Sequence, residues 1–147
     1  MKQIFLHLKN GKIELAEIPT PALKAGGVLV KNYFSLISAG TEKSVIELGQ
    51  KNLIEKAQAR PDLLRQVINK IKTDGLIPTL KAVRQKLDDY LPLGYSSAGE
   101  VVAVGEGAEE FKIGDRVACA GGNYASHAEI IFVPKNLYTR IPDNVVF

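Results

Sequence analysis

Apolar residues in this chain change their period twice. Up to about residue 42 they come in short strand-like runs. Leu6 and Leu8, then Ile13 and Leu15, flank Asn10-Gly11, the strongest signal of a two-residue hairpin. Pro19-Thr20-Pro21 ends the hairpin in an extended stretch, because each proline biases the residue before it away from helix. Val28, Val30 and Tyr33-Phe34 continue as a strand after Gly26-Gly27. In residues 43–90 the period becomes helical. Leu63, Leu64, Val67, Ile68 and Ile71 share one face, with Pro61 and Asp62 in the first turn, Lys70 and Lys72 in the last, and Gly75 as the stop. A second helix is predicted to start near Pro78, with Leu80, Val83 and Leu87 on one side. Shorter helices are expected over Ser44 to Leu48 and Lys51 to Ala59. Residues 91–147 return to strands, at Glu100 to Val104, around Val117, at Glu129 to Val133 and at Tyr138 to Pro142. Strands, then helices, then strands describe an α+β domain rather than the alternating βαβ of a nucleotide-binding sheet.

Several classes of partner are excluded by what accompanies that pattern. At 147 residues, 46% hydrophobic and 24% charged, the chain has the globular norm and room for one core. No apolar run approaches the roughly 20 residues of a membrane helix, so no membrane partner is expected. The N-terminal run Met1 to Lys9 contains lysine and no cleavage site, and reads as a first strand. A single cysteine, Cys119, forbids an internal disulfide and a multi-cysteine metal site, and points to a cytoplasmic location. The net charge of +3 is local: residues 43–90 carry ten basic and six acidic side chains, the remainder nine and ten. No aromatic residue interrupts Lys43 to Asp89, and the charges mark a helix's solvent face, so nucleic acid is not expected either.

Other candidate chemistry is weak. Gly105-Glu106-Gly107 follows a strand, but the third glycine of a dinucleotide loop is replaced by Glu110 and no amphipathic helix follows. It reads as a turn. Cys119 reads as a small buried residue, although Arg116 lies near it in sequence. His127 stands beside Ser126 and before Glu129, but neighbours on one strand point to opposite faces and do not make a triad. The pairs Asp88-Asp89 and Glu109-Glu110 read as solvated charge.

Two stretches are more specific together: Ile37-Ser38-Ala39-Gly40-Thr41-Glu42, and Pro92-Leu93-Gly94-Tyr95-Ser96-Ser97-Ala98-Gly99-Glu100-Val101 continuing to Gly114-Asp115-Arg116-Val117. In this order, and with Ala125-Ser126-His127-Ala128-Glu129, Val133-Pro134 and Ile141-Pro142-Asp143 after them, they resemble the N-terminal domain of the zinc alcohol dehydrogenase superfamily. The resemblance implies a GroES-like partly open β-barrel over residues 1–147, with a helical insertion at about 43–90. It implies an NAD(P)-dependent medium-chain dehydrogenase/reductase acting on an alcohol or carbonyl, whose nucleotide-binding domain is absent from this chain. Cofactor binding, to NAD or NADP, would belong to that missing half, and the chain alone would be inactive.

Where the family can place a zinc ligand set of cysteine, histidine and glutamate, this chain has Ala39, Tyr95 and Ser96. No zinc is therefore expected. Thr41 matches the family's proton-relay hydroxyl. With Tyr95 it would hydrogen-bond a substrate oxygen, while Ser38, Glu42 and Ser96 line the cleft. The long helical segment, Ala59-Arg60-Pro61-Asp62-Leu63 and Leu93-Gly94-Tyr95-Ser96 also resemble bacterial bi-domain oxidoreductases linked to surface-polysaccharide biosynthesis. That implies a sugar or nucleotide-sugar as the small-molecule substrate. A binding or scaffold module on the same fold is the alternative. The co-chaperonin GroES shares the fold, so a homo-oligomer stays open, and light scattering distinguishes a ring.

Overall fold

The computed structural model describes residues 1–147, with the side chain of Leu53 left aside. Eight strands run β1 (Lys2–His7), β2 (Lys12–Glu17), β3 (Gly27–Ser35), β4 (Tyr90–Pro92), β5 (Ser96–Val104), β6 (Arg116–Ala120), β7 (Ile130–Pro134) and β8 (Tyr138–Arg140). Four helices lie between β3 and β4: α1 (Thr41–Gln50), α2 (Leu53–Ala59), α3 (Pro61–Asp74) and α4 (Leu76–Asp88). This is an α+β fold.

The chain forms two compact units. The first holds Met1–Ile4, Leu15–Ala39 and Pro92–Phe147. Its frame is a five-stranded sheet in the order β7-β3-β5-β6-β8, with each neighbouring pair antiparallel. Period-2 burial builds the core: Val28 and Val30 on β3, Val101 on β5, Val117 and Cys119 on β6, and Ile131 and Val133 on β7 all point inward. Register shifts between Leu29 and Val30 and between Asn32 and Phe34 bend β3 against β5. Such bulges raise local twist, and the sheet curls as an open half-barrel. The turn Lys112 to Asp115 is fixed by one carboxylate. Asp115 Oδ2 accepts from the Lys112 amide at 2.9 Å and from the Arg140 guanidinium at 2.7 Å, and Gly114 supplies the positive φ.

The second unit holds Phe5–Glu14 and Gly40–Leu91. The hairpin between β1 and β2 forms, but its turn has four residues, Leu8–Gly11, rather than two, and Leu8 leaves the strand. The Gly11 amide bonds to His7 O at 2.9 Å, and the Asn10 side chain accepts from the Lys12 amide at 2.9 Å. Gly11 has a φ of +69°, and a Cβ there would meet Gln50 of α1.

The helices follow their capping chemistry. Asn52 and Glu55 make a reciprocal capping box on α2, with both bonds at 2.9 Å. Asn52→Ala is expected to cost about 1 kcal/mol in urea denaturation, with Asn52→Gly costing less. Gly75 ends α3 and also begins α4, which starts at Leu76, two residues before Pro78. Pro78 fits inside that first turn because its missing N–H would have no helical partner there.

Candidate functional site

Gly94 sets the geometry around the second recognition stretch. Its φ is +95°, and a Cβ on it would lie 2.7 Å from the His127 amide and 2.9 Å from that ring's Nδ1. Backbone bonds pin the segment on each side: His127 N to Leu93 O at 2.8 Å, Leu93 N to Ile4 O at 3.1 Å, and Gly121 N to Tyr95 O at 2.8 Å. The Tyr95 ring leaves this fixed backbone partly exposed. Ser96, half-buried, opens β5 and its carbonyl accepts from Leu36 N at 3.0 Å. That bond ties the strand to the run leading to half-buried Ser38 and exposed Ala39. Thr41 and Glu42 begin α1 in the second unit. Thr41 is exposed and Glu42 is buried in the first turn, where a carboxylate suits the helix dipole.

Behind Gly94 lies a polar group in the first unit. The Asn32 amide donates to Ser126 O at 3.2 Å and Ala128 O at 2.8 Å, bracketing His127. Both partners are carbonyls, so the amide nitrogen must face them, which leaves Asn32 Oδ1 buried without a hydrogen bond. His127 Nδ1 is 2.8 Å from Ser35 Oγ. Ser126 Oγ instead accepts from Gln3, and Glu129 accepts from the Lys2 amide. Neither sequence neighbour of His127 forms a triad with it. These residues border an open groove of about 280 Å³, lined by Lys2, Asn32, Tyr33, Ser35, His127 and Glu129 among others. That lies at the small end for a ligand site. Asn32 and Gln3 were not legible as candidates. For Asn32 the available signal was an amide inside the apolar-patterned strand β3, where asparagine is uncommon.

The remaining motifs have structural partners. A Cβ on Gly105 would overlap the Lys24 carbonyl oxygen, so this glycine serves close backbone approach. Gly107 N donates to Glu109 Oε1 at 2.8 Å. A carboxylate thus occupies the amide that a phosphate would need. That bond holds the Glu109 carboxyl below the usual range, as Lys135 does for Glu110 and Lys9 for Asp88. Arg116 turns to the C-terminal segment, bonding Val145 O at 2.7 Å and Pro142 O at 2.9 Å. Cys119 is buried opposite Ser97, and burial pushes its thiol up to about 12. It is a packed thiol, not a poised nucleophile. Among the described residues, no three His, Cys, Asp or Glu side chains gather as a metal group, and no helix is long and apolar enough to cross a membrane.

The family profile described as "Alcohol dehydrogenase GroES-like domain" matches residues 65–143, more than half of the chain. The chain belongs to this family. Its GroES-like fold is that of the N-terminal domain of medium-chain dehydrogenases/reductases. A quinone oxidoreductase of Pseudomonas aeruginosa is 40% identical over 55 residues, 37% of this chain and 17% of that protein. Galactitol-1-phosphate dehydrogenase of Escherichia coli superposes with a TM-score of 0.64 at 18% identity, over 98% of this chain and 39% of its own. A mycobacterial protein solved with NADPH gives 0.62 at 20% identity, over 99% and 34%. At these identities the solved structures speak for the GroES-like fold alone, and the chain spans well under half the length of each relative.

Proposed function

We propose that this GroES-like domain is the substrate side of an NAD(P)-dependent oxidoreductase acting on an alcohol or carbonyl. The match to the family profile over residues 65–143 carries the reading. In such an enzyme the nicotinamide supplies or accepts the hydride. The Gly105–Gly107 turn, whose Gly107 amide is taken by the Glu109 carboxylate, does not fit a pyrophosphate. That supports a reading in which cofactor binding belongs to a separate nucleotide-binding half and this domain does not turn over alone. The single buried cysteine suits a cytoplasmic enzyme.

Zinc does not fit either, on the chemistry of the donors. Ala39 carries no donor atom, and the hydroxyls of Tyr95 and Ser96 are poor replacements for imidazole and carboxylate. Substrate binding then falls to hydrogen bonds. The Tyr95 phenol, on a backbone held by Gly94 and Gly121, donates to a substrate oxygen, and the Thr41 hydroxyl serves as a proton relay. Ser38, Glu42 and Ser96 shape the surroundings. A polyhydroxylated substrate, a sugar or nucleotide-sugar, suits a hydroxyl-rich set of this kind.

In the intact oxidoreductase, Tyr95→Phe is expected to lower kcat about 100-fold while the fold persists by circular dichroism. An unchanged kcat would remove Tyr95 from the reaction. Calorimetric titration of the 147-residue domain with NADH or NADPH is expected to give no binding heat. Tight binding would overturn the division of labour. Absence of any turnover in the intact protein would favour the scaffold reading.

A further inference from the structure

The α3–α4 hairpin leaves part of its apolar surface exposed, while Val83 and Leu87 of α4 are half-buried. On α3, Val67 and Ile71 are half-buried while Leu63, Leu64 and Ile68 remain exposed, and no residue is fully buried. On α4 only Thr79 is buried; Leu76 and Leu80 are exposed, and Ile77 is 81% exposed. Cations follow these residues one turn along: Lys72 after Ile68, Lys81 after Ile77, and Arg84 after Leu80. Between Arg65 and Lys86 six side chains are basic and only Asp74 is acidic. Among the described residues, Arg65, Lys72, Lys81 and Lys86 make no ion pair, and Lys70 meets Asp74 only at 3.9 Å.

We propose that this hairpin rests on an anionic lipid surface, with Leu63, Leu64, Ile68, Leu76, Ile77 and Leu80 entering the headgroup boundary and the flanking cations meeting lipid phosphates. Charge complementarity selects this occupant. A second copy would bring one basic surface against another. Nucleic acid would meet the cations but leave the leucines and isoleucines without an apolar partner, and the segment has no aromatic ring on which bases stack. The same lack of aromatic anchors disfavours a tight protein interface. Long basic side chains can lay their stems along apolar surface while their heads reach phosphate. The helices have 14 and 13 residues and neither is a membrane span, so the contact lies flat. This surface contact is argued independently of the oxidoreductase reading.

Co-sedimentation with phosphatidylcholine vesicles, with and without phosphatidylglycerol, tests this on the full chain. Binding is expected only with phosphatidylglycerol and is expected to fall steeply as salt rises. Ile77→Ser, at a site too exposed to matter for folding, is expected to weaken it about tenfold, and Lys81→Glu by a similar factor. Circular dichroism and urea midpoints should match the unsubstituted chain. No sedimentation with anionic vesicles would overturn the proposal. So would sedimentation indifferent to Ile77→Ser, a dimer by light scattering that Ile77→Ser abolishes, or tighter binding to duplex DNA than to vesicles.

Discussion

Gly99→Ala is expected to destabilise the first unit by roughly 3 kcal/mol or more, enough to leave much of the protein unfolded near physiological temperature. Gly99 lies mid-way along β5, paired with Asn32 of β3 and Val117 of β6. A Cβ there would overlap the Lys31 carbonyl oxygen and come within 2.9 Å of Asn32 Cα. Both obstacles are backbone, so no side-chain rotation relieves them. β3 would have to move away, next to the register shift between Asn32 and Phe34 that bends it. The movement would also pull Asn32 from the carbonyls of Ser126 and Ala128, so the loss spreads to the support behind Gly94. Gly122→Ala is the control. A Cβ at Gly122 meets nothing within 4 Å, and its φ is not in the left-handed region. Its effect should stay within about 0.5 kcal/mol. Urea denaturation of both variants decides the matter: equal midpoints would mean that β3 and β5 do not approach as closely as described.

The strands and α3 were readable because their signals are local. Val28 and Val30 alternate, and Pro61, Asp62 and Gly75 mark the ends of one helix. The four-residue turn Leu8–Gly11 was not readable as such, because its glycine is placed against Gln50, about 40 residues away in sequence. Three-residue β4 is too short to show a period. The same division holds at the candidate site. Gly94-Tyr95-Ser96 could be found from the motif, and the carboxylate-filled Gly105–Gly107 turn from its missing third glycine. The partner of His127 could not. Sequence adjacency pointed to Ser126, whereas the ring meets Ser35, on a strand 92 residues earlier. Asn32 likewise owes its role to carbonyls 94 and 96 residues away. Pairings of that kind are fixed by sheet register, which period alone does not give. Periodicity also showed which side of α3 and α4 is apolar, but not that Leu64, Ile68 and Leu80 stay uncovered.

Alkali between about pH 9 and 12 is expected to destabilise this chain progressively through one thiol. Cys119 is 3% exposed in the core between β5 and β8, and its proton is held up to about 12 by burial, with the Ser97 hydroxyl opposing the shift in part. An unfolded chain would release that proton near its ordinary value of 9.0. Below about pH 9 both states keep the proton and the thiol contributes nothing to pH dependence. Between about pH 9 and 12 the unfolded state binds one proton fewer, so stability falls by about 1.4 kcal/mol per pH unit. Across the whole window the loss approaches about 4 kcal/mol, comparable with the entire stability of a marginal domain. Burial raises the Tyr138 hydroxyl as well, which adds a loss of the same sign starting higher. Cys119→Ala separates the two. At about pH 8 the variant should be roughly 1 kcal/mol less stable, because the core loses a sulfur atom. By about pH 10.5 it should match or exceed the unsubstituted protein, keeping only the shallower slope from Tyr138. Parallel stability curves from pH 8 to about 10.5 would show that the native thiol ionises as freely as an unfolded one. A thiol-labelling rate measured at about pH 8 gives an independent reading: native Cys119 should react at least about 100-fold more slowly than in urea, since neither access nor thiolate is available to the reagent.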